Sequence, residues 1–287
     1  MAFKCYLLVL SFKCSSKYAP FCLTIYKKLR ISFKIKSIKK ITVMKISLVL
    51  FFVLFVCSVN LKSQDKSLGN IPMIGDDAPS FTAETTSGTL NFPQDYGRKW
   101  KIIFSHPRDF TPVCSSEILT LANMQDEFEK LNVKLVVIST DTLQKHFMWK
   151  KALEETTYKG KAPVRINFPL VDDNRMTVSR SYGMLHIPAS TTKDVRGVFI
   201  VSPENKIEAI YFYPMNIGRN MEEIKRTVIA LQTAGTGNDR YLTPANWQLG
   251  DDVLVPQFPY TEKQLKANPE LKLAYYNVGS FMWFKKM

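Results

Sequence analysis

The spacing of apolar positions changes along the chain, and each change marks an element. Lys101-Ile102-Ile103-Phe104 and Lys134-Leu135-Val136-Val137-Ile138 are short apolar runs, the second closed by Ser139-Thr140-Asp141. Runs of this length bounded by turn residues predict buried strands. Between them, Ile118, Leu121, Ala122, Met124 and Phe128 recur at helical spacing among acidic residues, which predicts a helix over 115–131. Residues 142–157 read as a second amphipathic helix with Asp141 as its cap. Residues 195–201 predict another strand, and Pro203-Glu204-Asn205-Lys206 turns the chain into a hairpin with 207–213. Met221, Ile224, Val228 and Leu231 mark one face of a closing helix. Strand–helix–strand–helix, then a hairpin and a helix, predicts an α/β fold: a mixed sheet flanked by helices.

This domain is expected to span 70–235. Residues 236–287 form an extension rich in proline and aromatics, including Pro244, Trp247, Pro256, Pro259, Tyr275, Tyr276 and Trp283. Such a segment buries little of itself, so it is expected to wrap over its own domain or over a second copy of the chain.

The first quarter has a different character. Residues 44–63 carry Met44-Lys45, an apolar run from Ile46 and then a polar stretch from Lys62. That is the pattern of a signal peptide, with Val56 and Ser58 placed for cleavage, and the run is short for a membrane span. Export to a periplasm or the exterior is expected; an uncleaved anchor or a cytoplasmic protein is the alternative. Residues 1–43 read as a basic, non-structural segment upstream of a start at Met44.

Charge follows the same division. The chain has a formal charge of +14, from 39 Lys and Arg against 25 Asp and Glu. Residues 1–64 hold 12 of the basic residues and no acidic one, so the other 27 basic residues face all 25 acidic ones. The body is nearly neutral, which argues against a nucleic-acid partner. Cys5, Cys14, Cys22 and Cys57 precede the body, and Cys114 stands alone within it, so no disulfide framework is expected there. His106, His146 and His186 lack metal-ligand spacing, and no phosphate-binding glycine loop occurs, so neither metal nor cofactor is expected. His146 and His186 read as structural.

The chemistry concentrates in residues 106–117, His106-Pro107-Arg108-Asp109-Phe110-Thr111-Pro112-Val113-Cys114-Ser115-Ser116-Glu117. Thr111 suits an N-cap and Pro112 the first helical position, which puts Cys114 in the first turn. Unpaired N–H groups and the helix dipole favour an anion there, and helix N-termini make cysteines more reactive. The alternative is a buried structural cysteine.

Pro107-x-x-x-Thr111-x-x-Cys114 resembles the active-site motif of the peroxiredoxins, and its context is similar to the one-cysteine (peroxiredoxin-6-like) subfamily. Gly75-Asp76-Asp77-Ala78-Pro79-Ser80-Phe81 and Asp194-Val195-Arg196-Gly197-Val198-Phe199-Ile200 also fit. So do Tyr213-Pro214, Gly218-Arg219-Asn220 and Leu242-Thr243-Pro244-Ala245-Asn246-Trp247. The resemblance spans roughly residues 70–287. It implies a thioredoxin-like fold and reduction of hydrogen peroxide and organic hydroperoxides. Cys114 would be the peroxidatic thiolate, oxidised to a sulfenic acid. Thr111 would offer its hydroxyl, Pro107 would shield the pocket from water, and Arg196 would supply the cation. His106 would hydrogen-bond the oxidised sulfur or cap the strand; Glu117 would orient an arginine, and Arg219 would support from behind.

With no second cysteine after Cys114, an external thiol must regenerate the enzyme, and a homodimer or larger homo-oligomer is expected. Some relatives carry a phospholipase serine in a Gly-x-Ser-x-Gly motif; Gly97-Arg98-Lys99-Trp100-Lys101 lacks it. The alternative function is a peroxide sensor or holdase switched by oxidation of Cys114.

Overall fold

The computed structural model describes residues 71–235 and 241–287. The expectations for 1–43 and 44–63 lie outside them, as do residues 236–240. Among the described residues, no helix is long and apolar enough to cross a membrane.

Seven strands form one sheet: β1 (Phe81–Thr85), β2 (Gly88–Phe92), β3 (Trp100–Ser105), β4 (Val133–Ser139), β5 (Leu170–Asp172), β6 (Arg196–Val201) and β7 (Ile207–Tyr213). Their order across the sheet is β2-β1-β5-β4-β3-β6-β7. β3 pairs in parallel with β4 and antiparallel with β6, so the sheet is mixed, as the element order predicts. Helix α1 (Pro112–Lys130) joins β3 to β4, and α2 (Leu143–Glu154) joins β4 to β5. The short α3 (Thr177–Ser181) follows β5, and α4 (Met221–Ala234) follows β7.

The apolar runs are continuous because both faces of the sheet are covered. Ile102, Phe104, Leu135, Val137, Val198 and Ile200 face a core with Ile118, Leu121, Phe128, Trp149, Ile224 and Val228. Their neighbours Ile103, Val136, Ile138, Phe199 and Val201 face the other way, onto Phe92, Val178, Tyr182 and Met184.

Three details depart from the pattern-based reading. α2 ends at Glu154 instead of 157, whereas α1 begins at Pro112 as the Thr111-Pro112 pair predicts. Asp141 does not cap α2. Thr142 occupies that position without a side-chain bond, while Asp172 Oδ2 accepts the N–H of Leu143 at 3.0 Å. Asp141 faces inward instead, accepting the N–H of Asp109 at 2.7 Å and pairing with Lys145 and Lys193. On α4 the fully covered residues are Met221, Ile224, Val228 and Ala230, with Leu231 only partly buried.

The extension forms a small antiparallel sheet of its own, from β8 (Val253–Val255), β10 (Met282–Lys285) and β9 (Tyr275–Val278), with α5 (Glu262–Ala267) between β8 and β9. Trp247 and Val253 pack on Ala230 of α4, and Arg226 donates to the Trp247 carbonyl at 3.2 Å. Leu249, Leu273 and Phe281 remain exposed.

Candidate active site

β3 ends at Ser105, in the middle of the sheet, and the turn that follows delivers the chain to α1. His106 and Pro107 are buried in that turn, whereas Phe110 at its tip is half exposed. Phe110 has φ 57°, a left-handed conformation that costs an aromatic residue strain. Thr111 is extended, and its carbonyl accepts the N–H of Ser115 at 2.9 Å to open the helix. Its hydroxyl makes no capping bond; it donates to the Arg108 carbonyl at 2.8 Å. Pro112 takes the first helical position, where its missing N–H costs nothing, and Cys114 is third. The Cys114 side chain is 0% exposed.

Arg196 reaches this sulfur because of sheet topology. β6 runs antiparallel to β3, with Phe104 opposite Val198, so the start of β6 lies beside the end of β3. Ser105 holds that junction: its Oγ accepts the Gly197 N–H at 2.8 Å and donates to the Val195 carbonyl at 2.7 Å. A side chain at Gly197 would crowd that hydroxyl, since a Cβ there would stand 3.0 Å from it. From the first residue of β6, Arg196 points Nη1 at Cys114 Sγ, 3.3 Å away. Its Nε and Nη2 both donate to the Met215 carbonyl, at 3.0 and 2.5 Å.

Glu117 lies one helical turn beyond Cys114 and therefore on the same face of α1. Its Oε2 accepts from Arg196 Nη1 at 2.7 Å and from Arg219 Nη2 at 2.8 Å. Oε1 takes the backbone N–H and Nε of Arg219, at 2.8 and 2.9 Å. Arg219 Nη1 completes the set on the carbonyls of Ser105 and Gly197, both at 2.8 Å. All three side chains are buried. Burial alone would raise the Glu117 carboxyl, but Arg219 and then Arg196 more than offset that and hold it below the usual range. Glu117 is thus no solvated helix carboxylate and Arg219 no surface arginine; together they brace Arg196.

His106 is fully buried and bonds Asp109 Oδ1 through Nε2 at 2.8 Å, while its Nδ1 has no hydrogen-bond partner. His146, expected to be structural, lies on the same carboxylate, with Nδ1 2.7 Å from Asp109 Oδ2. Trp149 stacks obliquely on His106 at 5.0 Å and donates to Ser115 Oγ at 3.2 Å. The structure therefore groups Cys114, Arg196, Glu117 and Arg219, with Thr111 and Pro107 on the same turn. Asp109 and the Met215 carbonyl had no reading from sequence, and His146 was read as structural without its link to Asp109. Asp109 carries one signal, an acidic residue three positions from a histidine in the turn before the cysteine. Among the described residues no group of three or more His, Cys, Asp or Glu could hold a metal.

A buried sulfur at a helix N-terminus, facing a guanidinium fixed by a carboxylate and a carbonyl, favours an anionic nucleophile. Comparison with known proteins agrees. Residues 74–210 match the AhpC/TSA family. A peroxiredoxin of Methanosarcina mazei is 52% identical over 187 residues, 65% of this chain and 84% of the relative. A 1-Cys peroxiredoxin of Dictyostelium discoideum is 36% identical over 209 residues, 73% of this chain and 84% of its own length. Among solved structures, a yeast mitochondrial 1-Cys peroxiredoxin matches with TM-score 0.63 and 33% identity, over 76% of this chain and all of that one. The Peroxiredoxin 6 of Arenicola marina matches with TM-score 0.64 and 28% identity, over 75% and 98%. Motif, topology and these likenesses converge: the chain belongs to the peroxiredoxins of the AhpC/TSA family, the thiol-dependent peroxidases.

Proposed function

We propose that the protein reduces hydrogen peroxide and organic hydroperoxides through Cys114 alone, regenerated by an external thiol. The observation that carries this reading is the 3.3 Å approach of the braced Arg196 guanidinium to the Cys114 sulfur. The thiolate attacks one peroxide oxygen and the O–O bond breaks. The sulfur is oxidised to S–OH, and the departing oxygen leaves as water or an alcohol after taking one proton. Arg196 stabilises both the thiolate and the charge developing on the leaving oxygen. Pro107 keeps water from the sulfur, and the Thr111 hydroxyl, once released from the Arg108 carbonyl, reaches the substrate oxygen. His106 hydrogen-bonds the oxidised sulfur. Access to a sulfur this deeply buried requires movement of the 107–112 turn, and Phe110 stores strain at its tip.

An external thiol then condenses with the sulfenic acid, releasing water and leaving a mixed disulfide; a second thiol returns Cys114 to the reduced state. Cys114 being the one cysteine of the body supports this route. So does the yeast relative, whose thiol is resolved through glutathione and thioredoxin systems. We further propose a homodimer or larger homo-oligomer, since β7 is an edge strand and the extension leaves Leu249, Leu273 and Phe281 exposed. Export, directed by residues 44–58, is part of the same reading.

The test is peroxide consumption with a panel of thiol donors, with mass spectrometry on Cys114. Sustained turnover that vanishes in Cys114→Ser is expected. Cys114 left unoxidised by peroxide would overturn the proposal, and one stoichiometric oxidation without turnover would favour a sensor.

A further inference from the structure

Two fully buried histidines share the Asp109 carboxylate. Besides its 2.7 Å contact with Asp109 Oδ2, His146 places Nε2 3.1 Å from the Val171 carbonyl oxygen. Donor and acceptor chemistry then constrains every proton in the group. A carbonyl only accepts, so His146 Nε2 carries a hydrogen. In a neutral ring, Nδ1 would then be a lone pair aimed at a carboxylate oxygen, a repulsive contact at 2.7 Å unless a proton lies between them. One proton is therefore held in that contact, whichever atom it sits nearer. Oδ1 stays an acceptor in either case, so His106 donates to it from Nε2 at 2.8 Å. The other nitrogen of His106 is the buried Nδ1 that has no partner among the described residues.

A second proton on His106 is opposed from several sides. Burial pushes its pKa down, the bond to Asp109 offsets only part of that, and His146 and Arg219 push the same way as burial. Burial would raise Asp109, but its bonds to the two imidazoles outweigh this and keep it below the ordinary carboxylate range. The neighbouring Asp141, which accepts the Asp109 N–H, is neutralised by Lys145 and Lys193, and Asp172 is engaged at the start of α2.

We infer that His146 and Asp109 are positioning residues that hold one buried proton between them and so keep His106 neutral, hydrogenated at Nε2, with Nδ1 reserved as an acceptor for the S–OH hydrogen of oxidised Cys114. The last step rests on the peroxidase reading above; the proton arrangement does not. A neutral acceptor suits a sulfenic acid, which needs a partner for its hydrogen without losing it.

The chain has only three histidines, so ring-nitrogen NMR of the labelled, resting full-length protein can follow each one, with His186→Gln and His146→Gln fixing the assignments. At neutral pH, His146 should show both nitrogens hydrogenated or sharing the Asp109 proton, and His106 should show a bare Nδ1. Asp109→Asn tests the stored proton without changing shape: the amide N–H replaces it toward His146, and the amide oxygen still accepts from His106. The expected result is loss of the Nδ1 hydrogen at His146 and an unchanged His106. In His146→Gln, His106 should take up its second proton at a higher pH than in the parent. A protonated Nδ1 on His106 in the parent, or His146 unchanged in Asp109→Asn, overturns the inference. If Asp109→Asn does not fold, the parent spectrum and His146→Gln still decide it. Turnover with a protonated Nδ1 would sink only the proton arrangement, whereas a bare Nδ1 without turnover would sink only the peroxidase reading.

Discussion

Nη1 of Arg196 lies 3.3 Å from the sulfur of Cys114, although 82 residues separate them. The contact depends on the planar fork of the guanidinium, because the same group donates to Glu117 and twice to the Met215 carbonyl. Arg196→Lys keeps the charge and loses the fork. We expect the rate at which peroxide oxidises Cys114 to fall by about 100-fold, the scale of losing one preorganised donor at a developing charge. Rapid-mixing kinetics would show it, and a rate equal to the parent's would remove Arg196 from the mechanism.

Glu117→Gln leaves two buried guanidinium groups without their shared anion. A loss of about 3–5 kcal/mol is expected in urea unfolding, as for other buried pairs stripped of one partner. Because the native carboxyl is held below its ordinary value of 4.5, its contribution is complete above that pH and is lost as pH falls through the lowered native value. The parent should therefore lose more stability than Glu117→Gln as the pH falls through that range.

Asp194 predicts the opposite pH dependence. It precedes Arg196 by two residues, is fully buried, and neither carboxyl oxygen has a hydrogen-bond partner among the described residues. Burial, with the nearby Asp173 adding to it, raises its pKa to about 8. A raised native value means that its contribution is greatest below the unfolded value and declines as pH climbs toward 8. Asp194→Asn should gain on the parent steadily from mildly acidic to mildly alkaline pH, by on the order of 2 kcal/mol. An offset between the two proteins that does not vary with pH would rule this out.

Trp247→Ala should loosen the extension selectively. The indole is 2% exposed against Ala230 and Val253, and truncating a buried tryptophan costs about 3–5 kcal/mol. Hydrogen exchange is expected to accelerate in 241–287 and stay unchanged in β3 and β4. Uniform acceleration would show that the extension and the main sheet unfold as one.

The central strands and α1 were legible because their covering on both faces leaves continuous apolar runs and a helical stripe. β1, β2 and β5 were not: Phe81-Thr82-Ala83-Glu84-Thr85 alternates only weakly, and Leu170-Val171-Asp172 is too short for any period to show. Cys114 was legible because its helix start is written locally in Thr111 and Pro112. The brace was not, since Glu117 and Arg219 resemble surface residues until tertiary packing buries them against each other. The histidine pair escaped for the same reason: Asp109 and His146 meet across 37 residues, and no local spacing records a donor facing an acceptor.

The Glu117 carboxylate has one further consequence, for the chain while it is still being made. It joins groups from α1, from the start of β6 and from the approach to α4, the last of them 102 residues downstream of Glu117. Until that final segment arrives, Glu117 lacks the three bonds from Arg219 that hold it in place against Arg196. The surroundings of Cys114 are thus complete only after the chain has been made past Arg219, late in synthesis.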